Sequence, residues 1–323
     1  MTWSTDSMRR RVRVISDNDY CGDPDGLVQL AHHFLSPSVD LRHVIGSRVA
    51  DYDPSTGPTA AAESVMAAQR IAELSGRGDV PILAGSNDAL IAPTEPQSSA
   101  AADAIVAEAM REDTDVPLFV CCGGGLTNLA SAWLLEPRIA DRCTVVWIGG
   151  REHPGLAEPP PNALSPEYNT SIDAVAAQVV FNDSDLAIWQ VPRDAYAQVL
   201  ASRAELLVRM QTQGALGAHL YDELGRMVDL MEEFGLPMGE AYVLGDSPLV
   251  LLTALWSAFT DARPTSSQWV DRPRPTMLET GDYGDPVAGS DGRVPPLRIF
   301  TLIDTRLLLE DLYAKLALHA AEA

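Results

Sequence analysis

The chain has 323 residues, 46% of them apolar, and its 45 acidic side chains outnumber 23 basic ones for a formal charge of −22. That composition supplies a sizeable core. It contains no run of about 18 apolar residues that would cross a membrane, and it lacks the basic footprint that nucleic acid or an anionic membrane requires. Lys315 is the one lysine, which sets aside a Walker P-loop, a Schiff-base enzyme and a lysine-assisted phosphatase.

Residues 1–13 are polar and basic, without the apolar centre of a signal peptide, and Cys21, Cys121, Cys122 and Cys143 show no zinc or redox spacing. A reduced, cytoplasmic protein is expected. Short β-rich runs then alternate with amphipathic segments. Strand 12–16 leads to helix 27–35, strand 41–47 to helix 59–74, strand 81–84 to helix 100–111, and strand 117–122 to helix 127–135. Strand 144–148 precedes helix 174–181. Strand 186–191 precedes a long helix within 204–233, then helix 248–259, strand 298–301 and helix 305–318. Loops rich in Pro and Gly cover 153–166 and 272–296, the second reading as an insertion or lid. The expectation is one α/β domain over 1–323, an open, mostly parallel sheet flanked by helices.

Four segments carry candidate chemistry. The first strand runs into Ser16-Asp17-Asn18-Asp19-Tyr20-Cys21-Gly22-Asp23-Pro24-Asp25-Gly26, placing four aspartates at a strand's carboxyl end, where open α/β sheets bind ligands. Asp17 and Asp19 share a face by the two-residue period, and Gly22 allows the turn that returns Asp23 or Asp25. Such crowded carboxylates repel unless a hard cation joins them, and calcium takes oxygen ligands of this kind. An EF-hand loop starting at Asp17 matches at Asp19 and Gly22 but puts Cys21 and Val28 at ligand positions. An aspartate-nucleophile phosphatase expects Thr or Val where Cys21 stands. Next, Gly123-Gly124-Gly125-Leu126-Thr127-Asn128 follows a strand and opens a helix. As a dinucleotide fingerprint it lacks the third glycine; its other use is to bring bare backbone close to a ligand and offer a carbonyl to a metal. Glu167-Tyr168-Asn169 holds neighbouring groups that either grip sugar hydroxyls or merely enter a helix. Gly245-Asp246-Ser247-Pro248 is either a site or a helix cap with proline in its first turn.

Together these segments resemble the inosine-uridine nucleoside hydrolase family. The resemblance rests on Asp17, Asp19, Cys21-Gly22 and Asp23, on Gly124 to Ala130 with Leu135-Glu136-Pro137, and on Trp147-Ile148-Gly149-Gly150. Glu167-Tyr168-Asn169, Asp173 through Phe181 and Arg298 to Leu318 extend it over almost the whole chain. It implies a nucleoside hydrolase-like fold with a Rossmann-like core, bound calcium, and hydrolysis of a ribonucleoside's N-glycosidic bond in purine or pyrimidine salvage. It further implies a homodimer or homotetramer. Asp19 is then metal ligand and general base. Asp25, Asp246, the Gly123 carbonyl and, as an alternative to Asp25, Asp23 complete the metal site. Asp17 and Asp23 hold the ligand shell or a ribose hydroxyl, and Glu167, Asn169 and Asn162 bind the sugar. The chain departs from the family at Asp23-Pro24-Asp25, at Ser47-Arg48 in place of a ribose-contacting asparagine, and at Gly245, where a leaving-group histidine is expected. Tyr196, Tyr221, Tyr242, Trp269 and Tyr283 are considered in its stead, with Tyr283 in the 272–296 loop as the lid residue that protonates the base. The missing histidine also suits a non-catalytic or altered-specificity sugar or nucleoside binder on the same scaffold.

Overall fold

Parallel strands with both faces covered read as near-continuous apolar runs, and the first strand, Val12–Asn18, is buried at all seven positions. The computed structural model describes residues 9–53, 59–257, 266–289 and 292–322. Residues 1–8 of the polar N-terminal segment, 258–259 at the end of an expected helix and 290–291 of the expected loop lie outside the described residues.

The strands in chain order are β1 (Val12–Asn18), β2 (Val39–Gly46), β3 (Ile82–Ala84), β4 (Leu118–Cys122), β5 (Cys143–Ile148), β6 (Ala187–Val191), β7 (Leu200–Ser202), β8 (Ala241–Val243), β9 (Gln268–Pro273) and β10 (Pro296–Leu302). Eight of them form one sheet in the order β3-β2-β1-β4-β5-β6-β10-β9. All neighbours are parallel except β9, which runs antiparallel to β10 at the edge. β7 and β8 make a small antiparallel pair. The seven strands expected from sequence are all present.

Side chains alternate between the two faces. Val14 of β1, Cys121 of β4 and Val146 of β5 enter one core, with α1 (Asp25–Phe34), α2 (Ala60–Leu74), α9 (Gly214–Glu233), α10 (Pro248–Ala254) and α11 (Thr305–Glu322). Ile15, Val120, Cys122, Val145 and Trp147 enter the other, with α3 (Ala100–Ala109), α4 (Thr127–Leu135) and α6 (Ala174–Gln178). Short helices α5 (Tyr168–Ile172), α7 (Arg193–Tyr196) and α8 (Arg203–Leu206) complete the set. Lys315 in α11 is partly buried, bonding Ser36 Oγ at 2.9 Å and Asp311 at 2.5 Å, a structural use of the chain's one lysine. No helix among the described residues is long and apolar enough to cross a membrane.

The long helix expected within 204–233 is α9, which starts at Gly214 with φ +64, a left-handed conformation suited to glycine, and is preceded by α8 and a π-turn over Leu207–Gln211. One sequence expectation is corrected. The loop expected over 272–296 begins as strand, since β9 reaches Pro273. Its edge position removes the apolar alternation that would have signalled it, and the pairing is held by Arg298, which bonds Asp271 at 2.9 and 3.1 Å and stacks on Trp269.

The topology positions the site. From β1 the chain builds toward β2 and β3, then crosses back to β4, β5 and β6. The reversal lies between β1 and β4, and the crevice beyond their carboxyl ends is the preferred ligand position of such sheets. Asp17 pairs in register with Cys122, and Gly123 N–H donates to the Asp17 carbonyl at 3.0 Å.

Candidate active site

Asp17 is sealed at the end of β1. Ser47 Oγ and Asn128 Nδ2 donate to its carboxylate, the latter at 3.2 and 3.3 Å to its two oxygens. The Ser47 that departs from the family pattern therefore anchors an aspartate. Arg48 turns away, bonding the carbonyls of Asn87 at 3.0 Å and Ile172, and the Asp51 carboxylate.

Asp19 follows in the turn, where Gly22 N–H donates to its carbonyl at 2.7 Å and Asn18 Oδ1 accepts from its N–H at 2.9 Å. Its carboxylate is buried and, among the described residues, accepts no side-chain hydrogen bond. The glycine run lets this happen. A Cβ on Gly124 would stand 2.9 Å from Asp19 Oδ1, and one on Gly123 would collide with the Asn18 amide. Bare backbone is needed here for close approach.

Asp25 opens α1 and is buried; its Oδ2 accepts from Asp246 N–H at 3.0 Å. Asp246 Oδ2 in turn accepts from Asn18 Nδ2 at 2.8 Å. Neither Asp246 nor Ser247 caps α10 with its side chain, so of the two sequence readings of this segment the capping one is overturned: only Pro248 plays its helix-opening part. Asp23 is different, exposed at the rim, with Oδ1 accepting from Tyr242 Oη at 2.7 Å and from Asp25 N–H at 3.2 Å.

Glu167 does cap α5, accepting from Thr170 N–H at 3.1 Å, and does more: Oε2 also takes Gly150 N–H at 2.8 Å, and Oε1 takes Tyr196 Oη at 2.9 Å. Asn169 donates to the carbonyls of Gly123 and Ile148, both at 2.8 Å, tying the glycine turn to the end of β5. Tyr196 fills the space beside Gly245, where a Cβ would stand 3.3 Å from its ring and 3.3 Å from Asp25 Oδ2.

The structure thus brings Asp17, Asp19, Asp25, Asp246 and Gly123 together, with Glu167 and Asn169 alongside. Asn162 sits apart on an exposed loop with φ +62. Tyr283 is partly buried and stacked on His153 with ring centroids 4.0 Å apart. Its hydroxyl donates to the Arg151 carbonyl at 3.1 Å and accepts from Gln190 Nε2 at 2.7 Å. Asn18 and Asn128 were not singled out as site residues from sequence, and Tyr196 was weighed there only as a leaving-group acid. Asn18 alternates away from Asp17 and Asp19 in the strand, and its partner Asp246 lies 228 positions on.

Electrostatically the cluster is uncompensated. Burial, opposed by the Ser47 and Asn128 hydrogen bonds, lifts Asp17 to about 7. Burial and then the neighbouring Asp246 charge push Asp19 well above the ordinary carboxylate range. Burial followed by the Asp246 and Asp23 charges does the same to Asp25, and burial lifts Asp246 to about 7. Among the described residues no cationic side chain offsets any of the four. Among the described residues no three such groups are drawn in to metal-ligand spacing. In charge, hardness and burial, however, the donor set fits a divalent cation.

A family model described as inosine-uridine preferring nucleoside hydrolase matches residues 16–268. Curated relatives with that description come from Leishmania major, 46% identical over 82 residues, and Crithidia fasciculata, 51% identical over 70 residues. These matches cover 25% and 21% of this chain and only 24% and 19% of the relatives' lengths. Among solved structures, a purine-preferring ribonucleoside hydrolase from Gardnerella vaginalis aligns with a TM-score of 0.74 at 19% identity, over 96% of this chain and 100% of that one. That likeness shows a shared fold.

Proposed function

The chain belongs to the inosine-uridine preferring nucleoside hydrolase family, and on that premise we propose that it is a calcium-dependent enzyme cleaving the N-glycosidic bond of a ribonucleoside to free base and ribose. The observation that carries the reading is the set of buried carboxylates without cationic partners at the β1–β4 switch point. We further propose that residues 1–323 act as one domain, in the cytoplasm, as a homodimer or homotetramer serving purine or pyrimidine salvage.

Asp19, Asp25, Asp246 and the Gly123 carbonyl would hold the cation, with Asp23 at the rim as a further oxygen donor. Gly123 O already takes one bond from Asn169, and a carbonyl's second lone pair remains for a metal. Bound calcium would supply a clamp for ribose hydroxyls and a more acidic water. The chain's own part is as follows. Asp17, fixed by Ser47 and Asn128, shapes the floor. Glu167 and Asn169 orient the sugar. Asp19, to whose carboxylate no side chain of the described residues donates, accepts the proton of the water that adds to C1′. The surrounding negative charge stabilises the oxocarbenium-like transition state.

One observation favours the second reading, a non-catalytic sugar or nucleoside binder: Tyr196 occupies the space next to Gly245, and no imidazole stands there. A nitrophenyl riboside separates the two, because nitrophenolate departs without an acid. The hydrolase reading expects nitrophenolate and ribose in equal amounts at a rate scaling with enzyme. Tight riboside binding with no release would establish the binder.

A further inference from the structure

Resting on the hydrolase reading, we propose that the substrates turned over fastest are N-ribosides whose base carries a positive charge, of the pyridinium type, and departs neutral. When the bond from C1′ to a neutral purine or pyrimidine breaks, the electron pair leaves an anion unless a proton arrives with it. Efficient cleavage then needs a donor with a pKa near the working pH.

Among the described residues no histidine or phenol stands free beside the carboxylate cluster. Three phenols around it are already committed: Tyr196 donates to Glu167 at 2.9 Å, Tyr242 to Asp23 at 2.7 Å, and Tyr168 to Asp53. Tyr283 donates to the Arg151 carbonyl. The histidines serve elsewhere. His32 and His33 are sealed within α1, burial lowering them to about 4 and about 3, and His153 is bound to Gln190 and lowered to about 4. His43 lies on β2 near Glu108, His219 pairs with Glu223, and His319 bonds the Leu74 carbonyl.

The same surroundings suit a cation. Beyond the two charges a divalent metal would offset, Asp17, Asp19, Asp23, Asp25, Asp246 and Glu167 leave an excess of carboxylate. Arg193, whose charge reaches Tyr196, is itself clamped by Glu152 through two bonds of 2.7 Å. The Tyr196 and Tyr242 rings add aromatic surface, which attracts cations. The step balances without an acid. The C1′–N bond breaks with its electron pair going to the ring nitrogen, cancelling its charge. Water oxygen bonds to C1′, and the water's proton passes to Asp19 and then to solvent.

The test compares the riboside of nicotinamide, a pyridinium cation, with inosine, uridine and a nitrophenyl riboside on the full chain supplied with calcium. The expected kcat/KM for the cation exceeds that for inosine and uridine by about 100-fold or more, the size of a typical general-acid contribution. It also falls several-fold as salt is raised to about 0.3 M, because screening weakens the attraction, while the neutral ribosides change little. Inosine or uridine within about tenfold of the cation, or a cation rate indifferent to salt, would overturn the substrate class while leaving the hydrolase reading intact. If even the nitrophenyl riboside survives, the hydrolase reading itself falls and this proposal with it.

Discussion

Asp19→Asn is expected to lower kcat by about 100-fold or more while changing KM little. The substitution keeps the side chain's shape beside Gly124, where there is no room for a larger group, and removes the proton acceptor. General-base contributions of that order are usual. Misfolding is excluded by a second readout. The wild-type carboxylate is buried, accepts no side-chain hydrogen bond and faces the Asp246 charge, so neutralising it relieves a cost in the metal-free protein. In chelator, Asp19→Asn should therefore melt at or above the wild-type temperature. A variant with near-full kcat would remove Asp19 from the base role, whatever its stability.

The second large effect is on the stability of the chelated protein between pH 5 and pH 8. Burial raises Asp17 and Asp246 to about 7 in the folded chain, whereas an unfolded aspartate titrates near 3.9. A carboxyl group with a raised folded pKa favours folding below its unfolded pKa, and that contribution is lost as pH rises through the folded value. The metal-free Tm should accordingly fall by roughly 5–10 °C between pH 5 and pH 8. Carboxylates held low by arginines, such as Glu136 and Asp113, both at about 2, act in the opposite direction but only at lower pH. Calcium, which binds the ionised set, should recover the loss at pH 8 and do little at pH 5. Differential scanning fluorimetry across this range checks it; a Tm flat from pH 5 to 8, or indifferent to calcium at pH 8, contradicts the account.

How much of this was legible in the sequence follows from the range of the interactions. The core strands were, because burial on both faces writes itself as a local apolar run, as in Val12–Asn18. The edge strand β9 was not, because half its side chains face solvent and its pairing depends on Arg298, 27 residues from Asp271. The aspartate cluster was visible as an excess of charge within nine residues, and Gly123–Gly125 as a turn that must admit something close. What closes the site was not visible. Asn18 meets Asp246 across 228 positions, Asn128 meets Asp17 across 111, and Tyr196 meets Glu167 across 29. No local periodicity encodes such pairs. Asp246 shows the limit well, since a helix cap explains its segment fully until the structure shows its side chain turned toward Asn18 instead.

The central claim is that this carboxylate set works through a divalent cation to release ribose. The most direct test measures reducing sugar released from a panel of ribosides by the same preparation as purified, after chelation, and after calcium is returned. The account predicts release that drops to background in chelator and returns with about one calcium per chain, the stoichiometry of a single carboxylate-lined site. Undiminished release from protein that elemental analysis shows to be metal-free, or no release from any riboside with calcium bound, would contradict it.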